Sequence, residues 1–161
     1  MFLQMNPIIK QIHTALIKKH KTLAVAESCT GGLLSSLLTS RSGSSDFFIL
    51  GAIVYSNFSK HLLAKVPLAV INKHGAVSRP VAVTLAQNIR KIAKTNYAIG
   101  ITGIAGPTGG TTDKPVGTVY IAASSKAETI CRRFQFKGTR TSIRRQSALS
   151  ALRLLKEIIK L

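Results

Sequence analysis

The chain contains 161 residues, 45% of them hydrophobic, with 23 Lys and Arg against five Asp and Glu and a formal net charge of +18 at pH 7. This composition excludes a wholly disordered chain and predicts a single domain over residues 1–161. The shortage of acids excludes sites built from many carboxylates, and the positive charge favours an anionic partner without specifying its kind. Because the lysines are scattered along the chain, much of this charge is expected to be solvated surface.

The first 20 residues carry polar side chains every few positions, so they lack the unbroken apolar run of a signal peptide or a membrane-spanning helix. We therefore predict a cytoplasmic protein without membrane contact. The two cysteines, Cys29 and Cys131, lack the spacing of a zinc site, and the four histidines lack the i, i+4 spacing of a metal site. We expect neither a metal nor a cofactor.

The predicted elements alternate between helices and strands. Apolar residues that recur every three or four positions predict helices, and short apolar or β-branched runs predict strands. Asn6 followed by Pro7 marks one helix start, and Ser78 with Pro80 marks another. In chain order the predicted elements are helix 7–20, strand 22–26, helix 33–40, strand 47–56, helix 60–63, helix 78–94, strand 97–102, strand 118–124, strand 129–136 and helix 141–160.

The alternation of these elements predicts an α/β fold, a three-layer α/β/α single domain with a mixed sheet. Strand 47–56 is interpreted as buried because aromatic and branched residues fill it. Strand 129–136 alternates apolar and basic residues, which predicts a half-exposed edge strand antiparallel to strand 118–124.

Three predicted buried strands end in polar turns, at residues 27–32, 55–60 and 102–117. Ligands of open α/β sheets bind beyond the carboxyl ends of strands, so we expect the three turns to line one crevice. The glycine loop "GIAGPTGG" lacks the ending of a phosphate-binding P-loop and the spacing of the dinucleotide fingerprint. Taken alone, it fits a flexible connection as well as a backbone surface that approaches a ligand.

A serine and a lysine are candidates for nucleophilic catalysis. "RSGSSDFF" places Ser44 and Ser45 before a predicted strand, where hydroxyls usually bond to turn backbone. Lys60 offers a second interpretation, because lysine activates serine where no Ser-His-Asp set is available. Free lysine, with a pKa of about 10.4, is protonated at neutral pH, and burial or nearby positive charge would lower that pKa. Tyr55 either relays the proton and orients Lys60, or packs at the strand end with its hydroxyl in water.

Three arginines surround the start of the last helix in "KGTRTSIRR". Free backbone N–H groups and the helix dipole favour an anion there, and arginine adds a bidentate grip on phosphate. We expect Arg140 to contact the ligand, whereas Arg144 and Arg145 fit a solvated basic helix end equally well.

Five stretches together resemble the C-terminal domain of the competence/damage-inducible protein CinA. They are "AESCTGGLLSSLLT", "GSSDFFILGAIVYSNFSK", "HGAVS", "GITGIAGPTGGTTDKPVGTVYIA" and "FKGTRTSIRRQSALSAL". The resemblance runs in order from about residue 7 to residue 155. It implies a nicotinamide mononucleotide deamidase, which hydrolyses the carboxamide to nicotinic acid mononucleotide and ammonia without a metal. It also implies a homodimer or a higher homo-oligomer.

The resemblance extends to single residues. It implies that Ser45 is the nucleophile and that Tyr55 and Lys60 are its catalytic partners, with Lys60 as the base. It further implies a substrate-binding set, to which the glycine-containing turns contribute. That set is Ser28, Thr30, Gly31, Thr102, Gly103, Gly106 and Arg140. Glu27 is expected to orient or charge-balance Lys60, or to accept a hydrogen bond from a backbone N–H of its turn.

Three alternatives remain open at the level of sequence. Glu27, Cys29 and Lys60 have the residue types of a Glu-Lys-Cys amidase, which makes Cys29 a rival nucleophile. A catalytically silent nucleotide-binding relative is the second alternative. A nucleic-acid-binding accessory protein is the third alternative, and the positive charge favours it. Three features argue against nucleic acid as the partner: the sequence has no Trp, only three Tyr and no recognisable nucleic-acid-binding motif.

Overall fold

The computed structural model describes residues 7–161. A five-stranded sheet with strand order β2-β1-β3-β4-β5 forms its middle layer. Strands β2, β1 and β3 are parallel, and β4 and β5 continue the sheet in antiparallel fashion. The strands are β1 (Leu23–Glu27), β2 (Phe48–Ile53), β3 (Tyr97–Gly103), β4 (Thr118–Ser124) and β5 (Thr129–Gln135).

Helices cover both faces of this sheet. On one face, α1, α2 and α6 pack over a core that includes Ile12, Leu34, Ile99 and Leu152. On the other face, α3, α4 and α5 pack over a smaller core. The helices are α1 (Pro7–Lys18), α2 (Leu33–Leu38), α3 (Asn57–Ala64), α4 (Leu68–His74), α5 (Arg79–Ile92) and α6 (Arg140–Ile158). The predicted three-layer α/β/α fold with a mixed sheet is therefore confirmed.

Local chemistry accounts for the helix starts. Ser78 caps α5, and Pro80 lies in its first turn, as predicted. Ser56 caps α3 through a reciprocal pair of hydrogen bonds with Ser59. The predicted cap Asn6 lies outside the described residues.

Strand β2 differs from its prediction. The sequence predicted a buried strand over 47–56, but β2 is an edge strand whose residues alternate between half-buried and exposed. Its pairing with β1 also contains a bulge, since Leu23 pairs with Phe48 and Ala24 with Leu50. Apolar content alone does not distinguish a central strand from an apolar edge, so the prediction of burial was wrong. The edge position of β5 was predicted correctly.

The helical segment after β2 is more extensive than predicted. The sequence suggested a short helix over 60–63, whereas α3 starts at Asn57 and α4 follows as a separate helix. Ser44–Asp46 forms a short 3₁₀ helix that the sequence did not predict. Within residues 7–161, no helix is both long enough and apolar enough to cross a membrane.

Strand β3 packs unusually close to α5. A Cβ atom at Gly100 would lie 2.6 Å from the carbonyl oxygen of Ala82 and 2.6 Å from the amide nitrogen of Ala86. These contacts are with backbone atoms, which cannot rotate away as side chains do. Only glycine at position 100 allows the helix to approach the sheet this closely.

We expect Gly100→Ala to lower the free energy of unfolding by about 1–3 kcal/mol, because the added methyl group overpacks this contact. Urea unfolding monitored by circular dichroism measures the change. An unchanged midpoint would contradict the close helix contact described here.

Candidate active site

A cleft of about 270 Å³ opens beyond the carboxyl ends of β1, β2 and β3. All three predicted polar turns contribute to it, so the expectation of a shared crevice is confirmed. The segment 76–77 lines it as well, which the sequence indicated only through the resemblance of "HGAVS". The lining residues are Ser28, Cys29, Tyr55, Asn57, Lys60, Ala76, Val77, Thr102, Gly103, Ile104, Ala105, Gly106, Thr108, Gly109 and Arg140.

The side chain of Lys60 ends at the bottom of this cleft. Lys60 is only 2% exposed, although it is a lysine in the first half of a surface helix. Its Nζ lies 3.0 Å from each of three oxygens: the carbonyl oxygens of Val54 and Tyr55 and the Oγ of Ser28. No carboxylate oxygen of the described residues lies within 4.0 Å of this amine.

The three contacts around Nζ fit an ammonium that donates to all three oxygens, and they also fit a neutral amine. A neutral lysine has two N–H donors and one lone pair, whereas a protonated lysine has three donors and no acceptor. Two N–H groups can donate to the carbonyl oxygens of Val54 and Tyr55, which accept only. The lone pair then faces Ser28, whose hydroxyl can donate to it.

Burial lowers the pKa of Lys60 below its ordinary value of 10.5, and the nearby Cys29 thiol acts weakly in the opposite direction. The effect predicted from burial is thus confirmed. Nearby positive charge was also expected to lower this pKa, but it is not among the causes, and that part of the prediction was wrong. The buried site therefore favours the form of lysine that can accept a proton.

Ser28 is held where β1 ends. Its backbone N–H donates to the carbonyl oxygen of Ile101 on β3 at 3.1 Å, and its carbonyl accepts from Gly31 N–H at 3.0 Å. The residue is 7% exposed, and its Oγ faces Lys60. The sequence assigned Ser28 to substrate binding; its pairing with Lys60 was not foreseen, because the two residues lie 32 positions apart in the chain.

Glu27 caps α2 and does not pair with Lys60. Its fully buried carboxylate accepts from the backbone N–H groups of Gly32, Leu34 and Ser35 at 2.7–3.1 Å, and from Ser35 Oγ at 2.6 Å. Of the roles predicted for Glu27, the backbone acceptor role is confirmed and the contact with Lys60 is wrong. The carboxylate occupies the helix end that would otherwise attract an anion.

Thr102 and Gly103 shape the cleft through contacts with the surrounding chain. The hydroxyl of Thr102 donates to the carbonyl oxygen of Ala76 at 2.8 Å, which ties β3 to the segment before α5. A Cβ atom at Gly103 would lie 2.7 Å from Val119 Cγ2 and 3.0 Å from Cys29 Sγ. Position 103 therefore requires glycine for packing.

Arg140 spans the mouth of the cleft. It lies at the first position of α6, and it donates to the carbonyl oxygen of Gly106 and to the hydroxyl of Tyr55, both at 2.7 Å. The hydroxyl of Tyr55 thus contacts Arg140, while only its backbone carbonyl contacts Lys60. The predicted proton relay from the Tyr55 hydroxyl to Lys60 has no direct contact to support it.

Thr30 and Gly31 lie behind the cleft, against Arg144. Arg144 donates to the carbonyl oxygen of Thr30 through Nε at 3.2 Å and Nη2 at 2.8 Å. Neither Thr30 nor Gly31 lines the cleft. Arg144 therefore braces the turn after Ser28, and it is not the solvated helix end considered from the sequence.

Ser45 lies far from Lys60 within one chain. It belongs to the 3₁₀ helix that precedes β2, whereas Lys60 contacts the backbone just after β2. At about 3.3 Å per residue, the first and last residues of this six-residue strand are about 17 Å apart. Ser45 is exposed and does not line the cleft. The expectation that one chain pairs Ser45 with Lys60 is therefore wrong.

Cys29 lines the cleft but is poorly suited to be a nucleophile. It is 5% exposed, and burial raises the pKa of its thiol to about 12. A thiol at neutral pH reacts slowly, because the thiolate is the nucleophilic form. Glu27, the acid of the rival triad, is bound to α2. The arrangement therefore contradicts the Glu-Lys-Cys alternative.

Within residues 7–161, no group of three His, Cys, Asp or Glu side chains could hold a metal ion.

The family model described as "CinA C-terminal domain" matches residues 5–159. The chain belongs to this family. Among curated relatives, the "CinA-like protein" of Koribacter versatilis is 55% identical over 136 residues, and that of Syntrophus aciditrophicus is 47% identical over 147 residues. These matches cover 84% and 90% of this chain but only 33% and 35% of the relatives, so the chain spans about a third of their length.

Solved structures of the same superfamily share the fold over nearly the whole chain. The competence/damage inducible protein CihA from Agrobacterium tumefaciens has a TM-score of 0.94 at 31% identity, covering 99% of this chain and 96% of that one. The competence damage-inducible protein A (ComA) from Klebsiella pneumoniae has a TM-score of 0.92 at 29% identity, covering 96% of each chain.

We expect Glu27→Gln to lower the free energy of unfolding by about 2–3 kcal/mol, because the amide nitrogen would oppose backbone N–H donors and charge-assisted bonds would be lost. Chemical denaturation measures this change. Glu128→Gln, on an exposed turn, is the matched control and should alter stability little. Equal effects of the two substitutions would contradict the capping role of Glu27.

Proposed function

We propose that this chain is an amidohydrolase that converts nicotinamide mononucleotide to nicotinic acid mononucleotide and ammonia. The observation that carries the proposal is the buried contact of 3.0 Å between Ser28 Oγ and Lys60 Nζ at the bottom of an open cleft. Membership of the CinA C-terminal domain family and the resemblance of the motifs to its deamidases support the choice of substrate.

Ser28 is the proposed nucleophile, in place of the Ser45 assignment. The neutral amine of Lys60 removes the Ser28 hydroxyl proton as Oγ attacks the amide carbon. The resulting ammonium of Lys60 donates a proton to the leaving nitrogen, and ammonia departs. Water, deprotonated by Lys60, then hydrolyses the ester on Ser28 to release the carboxylate product and restore the serine.

The tetrahedral intermediate requires donors for its oxyanion. The amide N–H of Cys29 directly follows Ser28; it interacts with the sulfur of its own side chain, and no oxygen of residues 7–161 accepts from it. An amide N–H adjacent to the nucleophile is a common oxyanion donor, and it costs no reorganisation during the reaction. We assign this role to Cys29 N–H, so Cys29 contributes through its backbone.

The rim of the cleft suits an anionic substrate. Arg140 uses two of its five N–H donors on Tyr55 and Gly106, which leaves three for a phosphate. The glycine loop offers backbone at Gly106 and Gly109 beside it. This gives the positive charge of the chain a specific partner, a phosphorylated metabolite.

We expect Ser28→Ala to reduce ammonia release from nicotinamide mononucleotide by about 10³-fold or more and Lys60→Met by about 10²–10⁴-fold. A coupled ammonia assay on the purified protein gives both rates. Cys29→Ala is the matched control, and it should retain most of the activity because the backbone N–H remains. Full turnover by Ser28→Ala would rule out this nucleophile.

The rate should depend on pH through Lys60. Because burial lowers the pKa of Lys60 below 10.5, the fraction of neutral base grows as the pH rises through that lowered value. We therefore expect kcat/KM to rise with pH and to level off below pH 10.5. Initial rates across the alkaline range test this, and the residual rate of Lys60→Met should lack the ascending limb. A midpoint at or above the ordinary lysine pKa would contradict a buried amine base.

A further inference from the structure

The cleft offers no counter-ion to a cation. Among residues 7–161, no Asp or Glu lines it, and the charged side chains that do line it are Lys60 at the bottom and Arg140 at the mouth. Glu27, which adjoins Ser28, is bound to α2 instead. A positive charge that enters this cleft is therefore not neutralised, and it raises the free energy of the ammonium form of Lys60.

The proposed substrate brings such a charge. The nicotinamide ring of the mononucleotide is an N-substituted pyridinium, which is cationic at every pH. Ser28 Oγ lies 3.0 Å from Nζ of Lys60, and it must reach the carboxamide carbon, which is bonded directly to that ring. Because reacting atoms approach to about 3–3.5 Å, the ring charge comes to lie within about 6–8 Å of the amine. At this distance in a poorly solvated site, a second cation favours the neutral amine.

No charged side chain of the described residues fixes the protonation state of Lys60. Its three contacts fit the ammonium and the neutral amine alike, and burial is the main cause of its lowered pKa. The other titratable groups that line the cleft are Cys29, whose thiol affects that pKa less than burial does, and Tyr55 and Arg140, which bond to each other. Helices α4 and α5 pack against α3, and the remaining ionisable side chains of these three helices do not line the cleft: His61, Lys73, His74, Arg79, Arg90 and Lys91. A ligand with its own charge can therefore shift the balance between the two forms.

We propose that the pyridinium charge of the substrate itself deprotonates Lys60. When the nucleotide binds, the ammonium gives its proton to solvent through the open cleft, and the neutral amine that remains can accept the proton of Ser28. Lys60 thereby selects carboxamides on a cationic ring over carboxamides on a neutral ring, while Arg140 supplies affinity for the phosphate. This inference deepens the proposed function and rests on it, because it requires the carboxamide to reach Ser28.

Proton release on binding tests this coupling without turnover. In the Ser28→Ala variant, which lacks the proposed nucleophile, we expect nicotinamide mononucleotide to release up to about one proton per chain between about pH 7 and about pH 10. Reduced nicotinamide mononucleotide has the same ribose and phosphate but a neutral dihydropyridine ring, and it should release clearly less. Calorimetric titrations in two buffers of different ionisation enthalpy measure the protons released. Any proton lost from the phosphate is common to both nucleotides, so the difference between them isolates the ring charge.

The Ser28→Ala, Lys60→Met double variant is the matched control, because it has no amine to titrate at the bottom of the cleft. In this variant the two nucleotides should release equal numbers of protons, and circular dichroism shows whether both variants are folded. Equal proton release by the two nucleotides in Ser28→Ala would overturn the proposal. An excess that persists in the double variant would overturn it as well.

Steady-state kinetics of the wild-type protein give a test that needs no substitution. The pH profile of kcat/KM reports the free protein, and that of kcat reports the complex. We expect the midpoint of kcat to lie at a lower pH than the midpoint of kcat/KM, so that KM falls about tenfold or more as the pH rises through this range. Coincident midpoints would show that the bound ring leaves the amine unchanged.

Failure of the proposed function gives a different result. If the wild-type protein binds nicotinamide mononucleotide but releases no ammonia from it, the proposed reaction is wrong, whatever the proton release. If ammonia is released but the two nucleotides release equal numbers of protons, the reaction stands and the proposed deprotonation of Lys60 is wrong.

Discussion

The structure depends on burying one amine without a counter-ion. An unpaired ammonium in a protein interior costs several kcal/mol, so the neutral form is the one that such a site stabilises. Three separate pieces of chain create the surroundings of Lys60: the carbonyls at the end of β2, the hydroxyl at the end of β1, and the helix α3 that carries the lysine. Ser56 caps α3 directly after the end of β2, and the chain reverses direction there. The side chain of Lys60 therefore reaches the carbonyl oxygens of the residues five and six positions before it.

The side chains of the adjacent residues Glu27 and Ser28 point to opposite faces of the sheet. Glu27 turns toward α2 and supplies acceptors to its free N–H groups, whereas Ser28 turns toward α3 and Lys60. The buried carboxylate and the buried amine are thus solvated separately by backbone groups of the opposite polarity. Joining them in an ion pair would have kept the lysine protonated, because a nearby carboxylate stabilises the charged form. The separation of these two charges keeps the lysine available as a base.

Much of the fold was predictable because its signals are local. Each signal lies within a few residues of the chain: apolar periodicity, proline and serine at helix starts, and glycine after β1. Together these signals predict the three layers and the position of the cleft. The failures concern long-range relations. The burial of β2 depends on whether a neighbour lies beyond it, which its own six residues do not encode. The partner of Lys60 depends on strand order, and the parallel register of β1 with β2 brings Ser28 to it while Ser45 remains at the far end of β2.

The two hydrogen bonds of Arg140 have a consequence for recognition at the cleft mouth. A free arginine side chain loses up to about 2 kcal/mol of rotamer entropy when it is fixed on a ligand. Here Tyr55 and Gly106 already hold the guanidinium plane, so that loss occurs when the protein folds. The remaining donors point in fixed directions before any anion arrives. Such a rigid fork should distinguish anions by their shape and approach angle as well as by their charge, which suits a protein whose overall field attracts anions indiscriminately.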